Sequence, residues 1–253
     1  MNDTLEIAGH TFSSRFILGS GKFSLELIQS AIEKAGAQMI TLALRRVNFE
    51  GAENILDFIP KGVTLLPNTS GARTADEVLR LARLARELGC GDFIKVECIN
   101  DSKYLLPDNY ETVRATELLA RDGFLPMVYM FPDLSIARRL VDAGAVAVMP
   151  LASPIGSNRG LLTKEFIQIL VDEIELPIIV DAGIGTPSQA CELMQMGVDA
   201  LMINTAVATS GNIALMAQAF GEAIKAGRMA YRAGLGRVSK VASASSPLSG
   251  FLE

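Results

Sequence analysis

The stretch TADEVLRLARLARELGCGDFIKVEC, residues 74–98, contains the unit from which the fold can be predicted. Its first part has apolar residues every three or four positions, a spacing typical of a helix with one buried face. The predicted helix runs from Thr74 to Leu88, with an apolar stripe of Val78, Leu81, Leu84, Ala85 and Leu88. Gly89 then ends the helix, because glycine accepts the left-handed conformation found there. The apolar run Asp92–Cys98 predicts the strand that follows.

The same alternation of strands and helices extends along the chain. Strands are predicted at Arg15–Gly19, Gln38–Ala43, Val63–Leu66, Asp92–Cys98, Leu125–Met130, Ala145–Met149, Pro177–Asp181 and Ala200–Asn204. Helices are predicted to begin at the N-cap residues Ser24, Thr74, Thr163 and Thr186 and to end at Gly36, Gly89, Gly144 and Gly197. Eight such units without a linker predict an α/β fold, a single (β/α)8 TIM barrel over residues 1–253 with a short N-terminal β extension near residues 5–12. A doubly wound open sheet is the alternative, but it usually has fewer repeats.

The composition excludes several classes of protein. Hydrophobic residues make up 49% of the 253 residues and charged residues 20%, which suits a large core and not a disordered chain. The net charge of −5 argues against a nucleic-acid surface or a basic membrane anchor. The N-terminus lacks the apolar core of a signal peptide, and the uncharged run 143–158 is broken by two prolines. We therefore expect a soluble, cytoplasmic protein that binds neither nucleic acid nor membrane.

Histidine and cysteine are too sparse for several kinds of site. His10 is the only histidine, so a histidine-based triad or a multi-histidine metal site is nearly excluded, and we interpret His10 as structural. The cysteines Cys90, Cys98 and Cys191 form no CxxC pair, which indicates neither a disulfide framework nor a zinc site. We expect no metal and no cofactor.

Lys95 lies in the middle of an apolar predicted strand. Side chains alternate along a strand, so Lys95 and Glu97 should share a face, and Cys98 should pack against a helix. Burial lowers the pKa of a lysine unless a neighbouring carboxylate compensates. A neutral amine beside an acid can form an imine with a carbonyl substrate. A buried salt bridge that only fills the core is the competing interpretation.

Polar loops follow the sixth, seventh and eighth predicted strands. Asp181 ends the seventh strand, where a carboxylate can transfer protons to a substrate on the barrel axis. The glycine-containing segments 154–160 and 182–187 and the pair Asn204–Thr205 stand where such barrels usually bind phosphate. Their convergence near Lys95 favours a phosphorylated substrate.

The segment Gly19–Phe23 is not a nucleotide-binding loop. A Walker A loop needs a glycine where Phe16 stands and a serine or threonine in place of Phe23. Lys22 is therefore interpreted as a surface lysine, with contact to an anion from the first loop as the alternative.

A set of motifs in one order resembles bacterial thiazole synthase, which assembles the thiazole phosphate half of thiamin. The motifs are GKF at 21–23, TLLPNTSGA at 64–72, LLPD at 105–108, VMPL at 148–151, SPIG at 153–156, VDAGIG at 180–185, NTA at 204–206 and SSPLSGF at 245–251. The likeness covers the chain from about residue 5 to its end.

This resemblance implies a (β/α)8 enzyme whose Lys95 condenses with the ketone of 1-deoxy-D-xylulose 5-phosphate. Glu97 and Asp181 match the family's acid/base carboxylates. The positions that match its substrate-phosphate contacts are Gly156, Ala182, Gly183, Asn204 and Thr205. The family has tryptophan, leucine and proline where this chain has Phe93, Val96 and Leu134, and none of these departures removes a reacting group.

The resemblance also implies partners. Sulfur would come from the C-terminal thiocarboxylate of a small thiamin sulfur-carrier protein, and the ring would be closed with dehydroglycine, the imine of glyoxylate, supplied by another enzyme. A homo-oligomer, a tetramer by resemblance, is implied as well. Two alternatives stay open: a class I aldolase-like enzyme that acts on a sugar phosphate without a sulfur donor, and a non-catalytic barrel that only binds sugar phosphate.

Overall fold

The computed structural model describes residues 3–19, 24–43 and 58–243. The motif at 21–23, which includes Lys22, and the C-terminal motif at 245–251 lie outside the described residues.

Eight parallel strands of the described residues form one sheet that curves into a barrel. In chain order they are β3 Phe16–Leu18, β4 Met39–Ala43, β5 Thr64–Asn68, β6 Phe93–Val96, β7 Leu125–Met130, β8 Ala147–Pro150, β9 Ile179–Val180 and β10 Ala200–Ile203. Neighbours in sequence are neighbours in the sheet, and β10 pairs with β3. Parallel bridges Val148–Ile178 and Leu151–Asp181 join β8 to the β9 segment and close the ring. The predicted (β/α)8 barrel is confirmed.

Helices pack on the outside of this ring. They are α1 Leu25–Glu33, α2 Ala75–Glu87, α3 Asn109–Arg121, α4 Leu134–Asp142, α5 Lys164–Glu173, α6 Pro187–Gln195, α7 Thr205–Ala208 and α8 Ile213–Ala233. The four glycines predicted to end helices all have positive φ, between 74° and 97°. Outside residues 44–57, which the structure does not describe, helices and strands therefore alternate as the sequence indicates, with glycine at the change of direction.

The buried face of α2 and the N-caps of the helices agree with the predictions except at two residues. The stripe of α2 is wrong at Leu84, which is 42% exposed, whereas Ala82 is buried in its place. Ser24 and Thr74 cap their helices through side-chain oxygens, and Thr186 forms a capping box. Thr163 is an N-cap by position only, because its hydroxyl donates to the carbonyl of Leu151 at 2.6 Å.

An antiparallel hairpin covers the N-terminal end of the barrel. Strands β1 Leu5–Ile7 and β2 His10–Phe12 form it, as the predicted extension required. Its apolar side chains pack in one cluster with inward-facing residues such as Met127 and Met202. The ring of His10 lies 5.0 Å from that of Phe93 at this end, which agrees with a structural role.

The helices of the described ranges include none that combines the length and the apolar character needed to cross a membrane.

Candidate active site

A cavity of about 560 Å³ opens at the C-terminal ends of the strands. This is the end at which barrels of this class bind their substrates. Every residue that the sequence proposed for the site lines this cavity: Lys95, Glu97, Gly156, Asp181, Ala182, Gly183, Asn204 and Thr205. The structure therefore brings together residues from strands and loops on several sides of the barrel. Across the described residues, no three His, Cys, Asp or Glu side chains are grouped as a metal site would require.

Lys95 is held between two carboxylates at the floor of the cavity. Its Nζ lies 2.6 Å from Asp181 Oδ2 and 3.0 Å from Glu97 Oε1. The Lys95 ammonium also donates to the sulfur of Met202 at 3.3 Å. The three charged residues are only 5%, 6% and 6% exposed, so their charges interact with little screening by water.

The carboxylates reverse the effect that burial alone would have on Lys95. Burial lowers the pKa of the Lys95 amine, but the charges of Asp181 and Glu97 outweigh it and hold this pKa well above its ordinary value. Of the two cases that the sequence left open, a pKa lowered by burial or one restored by a neighbouring carboxylate, the structure shows the second. Without substrate Lys95 is an ammonium ion, so a proton must leave it before the nitrogen can attack a carbonyl.

Strand periodicity explains the position of Lys95. In β6 the side chains of Phe93 and Lys95 point into the barrel, and Ile94 and Val96 pack against helices, as predicted. Cys98 is buried on the helix side, where burial, with the nearby carboxylates, raises the pKa of its thiol to about 12. Cys98 is thus an unreactive packing residue.

Thr69 fixes the backbone beside Glu97, a contact that sequence reasoning missed. Its hydroxyl accepts a hydrogen bond from the N–H of Glu97 and donates one to the carbonyl of Glu97, both at 2.9 Å. The N–H of Thr69 donates to the carbonyl of Lys95 at 3.1 Å. These bonds hold both ionisable residues in register with the loop after β5.

The turn after β9 brings backbone close to the cavity. Ala182 and Gly183 have φ values of 59° and 77°, and the N–H of Ala182 donates to Asp181 Oδ1 at 2.6 Å. A Cβ on Gly183 would lie 1.8 Å from the hydroxyl oxygen of Ser153, so only glycine fits there. Gly156, with φ of 73°, lines the cavity from the loop after β8. Because neither glycine carries a side chain, main-chain groups are left at the cavity wall.

Tyr129 is a second residue that the sequence did not single out. It is fully buried on β7, and Lys95 Nζ lies 5.6 Å from the centre of its ring. Burial and the charges of Asp181 and Glu97 raise the pKa of the Tyr129 hydroxyl well above its usual range, so it stays neutral. The alternation along β7 could have placed it inside the barrel, but its sequence neighbours are all apolar and gave no sign of a site.

Comparison with known proteins gives consistent matches over almost the whole chain. The family model described as thiazole biosynthesis protein ThiG matches residues 6–247. The chain is 72% identical to the thiazole synthase of Clostridium beijerinckii, over 99% of this chain and 98% of that protein. It is 66% identical to the thiazole synthase of Fusobacterium nucleatum, over 100% of this chain and 98% of that protein.

Solved structures are also similar, and one of them is a complex. In the crystal structure of the Amycolatopsis orientalis BexX/CysO complex, the matching chain superposes with a TM-score of 0.83 at 31% identity. The match covers 94% of this chain and 98% of that one.

Proposed function

Because the chain belongs to the thiazole biosynthesis protein ThiG family, the thiazole synthases of thiamin biosynthesis, we propose that Lys95 begins its reaction by forming an imine with the ketone of 1-deoxy-D-xylulose 5-phosphate. The proposal rests on the buried contact of Lys95 Nζ with both Asp181 and Glu97. One of these carboxylates takes the proton that the ammonium must lose.

The imine forms in two stages, addition of the amine to the ketone and loss of water. The neutral nitrogen of Lys95 attacks the ketone carbon, and the carboxylic acid that took the ammonium proton returns it to the carbonyl oxygen. The carboxylate then takes a proton from the nitrogen, which gives the neutral carbinolamine, and passes it to the hydroxyl. The C–O bond breaks as water leaves, and the nitrogen lone pair forms the C=N bond of the protonated imine. Glu97 and Asp181 then move protons between the nitrogen and the neighbouring sugar carbons, so that the imine tautomerises.

The phosphate of the sugar binds across the loops after β8, β9 and β10. The proposed contacts are the backbone of Gly156, Ala182 and Gly183, together with Asn204 and Thr205, all of which line the cavity. Main-chain groups on the loops after the last strands can bind an anion, although the net charge of the chain is −5.

Two further reactants complete the proposed function. A small carrier protein with a C-terminal thiocarboxylate delivers sulfur, a proposal supported by the similar solved chain, which comes from a BexX/CysO complex. Dehydroglycine, supplied by another enzyme, closes the ring. We also propose that the chain works as a homo-oligomer.

Reductive trapping tests the imine. The protein is incubated with 1-deoxy-D-xylulose 5-phosphate, reduced with borohydride and digested, and the modified peptide is mapped by mass spectrometry. We expect the sugar adduct on Lys95, and none in Lys95→Arg, which keeps the charge between the carboxylates. Lys164→Arg is the control, because Lys164 forms an exposed ion pair with Glu192. In this variant Lys95 should carry the adduct as it does in the wild type. An adduct on another residue, or none in active protein, would overturn the proposal.

A further inference from the structure

The segment formed by the last residue of β5 and the loop that follows it, residues 68–73, lines the cavity but has no part in the proposed imine chemistry. Asn68, Ser70 and Arg73 each contribute to the wall. Within the described ranges, Lys95 and Arg73 are the only cationic side chains that line the cavity, against three carboxylates. Since two of those carboxylates already pair with Lys95, Arg73 is the cation available to a second anionic ligand.

The guanidinium of Arg73 forms no ion pair with any residue that the structure describes. The nearby carboxylate of Glu77 instead accepts a hydrogen bond from the backbone N–H of Arg73 at 2.7 Å. Arg73 also lines a shallow outer groove together with Arg80, so it stands where that groove meets the cavity. Among the described residues its charge therefore has no ion-pair partner, and it stands at the entrance of the cavity.

The loop is rigidly connected to the strand that carries Lys95. The N–H of Thr69 donates to the carbonyl of Lys95 at 3.1 Å, and the N–H of Ala72 donates to the carbonyl of Thr69 at 3.0 Å. The N–H of Ile99 donates to the carbonyl of Ala72 at 3.1 Å. In the sheet, Asn68 is the direct partner of Lys95. A ligand held by this loop is thus held at a fixed position relative to the reacting nitrogen.

The loop lies on the far side of the mouth from the proposed phosphate contacts. In the closed ring, β5 is separated from β9 by three strands in either direction, so their loops face each other across the axis. Two anionic groups bound on opposite walls repel each other less than two on the same wall. Lys95 stands between these walls, since it pairs with Asn68 of β5 in the sheet and its Nζ contacts Asp181 at the end of β9.

We propose that Arg73, with Asn68 and Ser70, forms a second anion subsite that binds the carboxylate of dehydroglycine, the α-imino acid that closes the ring. This inference rests on the proposed function. The oxygen of the Asn68 side chain accepts a hydrogen bond from the N–H of Ser70 at 3.2 Å, which leaves its amide nitrogen as a donor. A guanidinium and an amide suit a planar carboxylate, and the subsite places the imine carbon next to the sugar carbons activated at Lys95.

Substitution of Arg73 tests the subsite. Glyoxylate with excess ammonium chloride supplies the imino acid in solution, and its concentration is varied at saturating sugar phosphate and carrier thiocarboxylate. In Arg73→Gln the half-saturating glyoxylate concentration should rise about 10- to 100-fold, as expected for loss of a charged hydrogen bond. Arg73→Lys should recover part of the loss, because it keeps the charge but not the planar fork. Arg80→Gln, which alters the outer groove only, is the matched control and should be unchanged.

The remaining measurements separate this inference from the imine proposal. Borohydride labelling of Lys95 and the half-saturating sugar phosphate concentration should be unchanged in Arg73→Gln. Labelling that fails in the wild type counts against the imine and not against the subsite. An unchanged glyoxylate dependence in Arg73→Gln would overturn the subsite. A rise in the half-saturating concentration of the carrier instead would overturn it too, and would assign Arg73 to the carrier's tail.

Discussion

Lys95 combines two requirements that oppose each other. The two carboxylates keep it charged and therefore tolerated in a dry barrel, while the proposed chemistry needs its neutral form. Both requirements are met if one carboxylate accepts the ammonium proton of Lys95 when the carbonyl substrate binds. The same pair of contacts thus explains why the buried lysine is tolerated and supplies the proton acceptor that the proposed activation needs.

Removal of one carboxylate should lower the pKa of Lys95. Asp181 is the closer partner and contributes more to the raised pKa than Glu97 does. Only the neutral amine attacks, so the rate of borohydride trapping rises with pH up to this pKa. In Asp181→Asn we expect the midpoint of that profile to move to lower pH by about one unit or more, and in Glu97→Gln to move less. Turnover in Asp181→Asn should fall about 100-fold or more, because proton transfer is lost.

Asp101→Asn is the control for this experiment. Asp101 lines the same cavity, but its oxygens accept hydrogen bonds from the backbone N–H groups of Lys103 and Tyr104 and not from Lys95. Its midpoint should equal that of the wild type. A midpoint that stays in place or rises in Asp181→Asn would contradict the electrostatic account.

The sequence placed Lys95 and Glu97 on the cavity side of β6, but it left the pKa of Lys95 open. A period of two along β6 is a local property, so Lys95 and Glu97 could be assigned to the barrel interior from a few residues. The pKa of Lys95 depends on Asp181, whose Oδ2 lies 2.6 Å from Lys95 Nζ once the ring of strands closes. A local sequence pattern cannot predict a distance between residues on different strands. Thr69 and Tyr129 were missed for the same reason, since their contacts join different strands.

At the scale of elements, the turn after β9 combines two constraints at one glycine. Gly183 has a φ of 77°, and a Cβ there would lie 1.8 Å from Ser153 Oγ and 2.7 Å from the Ser153 carbonyl oxygen. Its own carbonyl accepts hydrogen bonds from the N–H of Gly160 at 2.8 Å and from the Ser153 hydroxyl. The turn is therefore tied to the loop after β8, with which it forms part of the cavity wall.

Gly183→Ala should lower the free energy of unfolding by about 3 kcal/mol or more, because strain and overlap add. Gly36 offers a matched control, since its φ is 74° but a Cβ added there would meet no other part of the chain within 4 Å. Gly36→Ala carries the backbone strain alone and should cost about 1 kcal/mol. Urea denaturation of the two variants measures the difference. Equal losses would show that the contact with Ser153 contributes nothing.

Elements themselves were largely predictable. All eight predicted strands are present because buried parallel strands are short apolar runs, and glycine marks the end of the helix before several of them. The observed β5 continues to Asn68, two residues past its predicted end, since Pro67 and Asn68 are residue types uncommon in strands. Leu84 was assigned to the buried stripe of α2 by its spacing, but the position of α3 beside α2 decides which residues are covered.

At the scale of the whole molecule, one carboxylate connects the beginning of the described chain to its last helix. Asp3 accepts hydrogen bonds from Arg15, which precedes β3, and from Arg228 of α8, each at 3.0 Å. Arg15 is nearly buried and also donates to the carbonyls of Thr4 and Asp199. The cluster thus fixes the N-terminal hairpin and α8 against the ring where β10 meets β3.

Asp3→Asn should destabilise the protein in a pH-dependent way. The hydrogen bond from Arg228 is the main cause that lowers the pKa of the Asp3 carboxyl below its ordinary value of 3.8, against an opposing effect of burial. A lowered folded-state pKa stabilises the protein above the unfolded value, and this stabilisation is lost as the pH falls through the folded value. At neutral pH we expect Asp3→Asn to lose about 2 kcal/mol, because the nearly buried Arg15 loses its counter-charge.

Urea denaturation of both proteins over a range of pH measures this difference. The gap between wild type and Asp3→Asn should be constant from neutral pH down to mildly acidic pH and should narrow only as the pH approaches 3.8 and falls below it. Asp76→Asn is the control, since Asp76 pairs with Arg114 at an exposed position and should cost at most about 1 kcal/mol. If the gap for Asp3→Asn is no larger than that of the control, the hairpin and α8 are held by apolar packing alone, and the charge cluster does not stabilise the closed barrel.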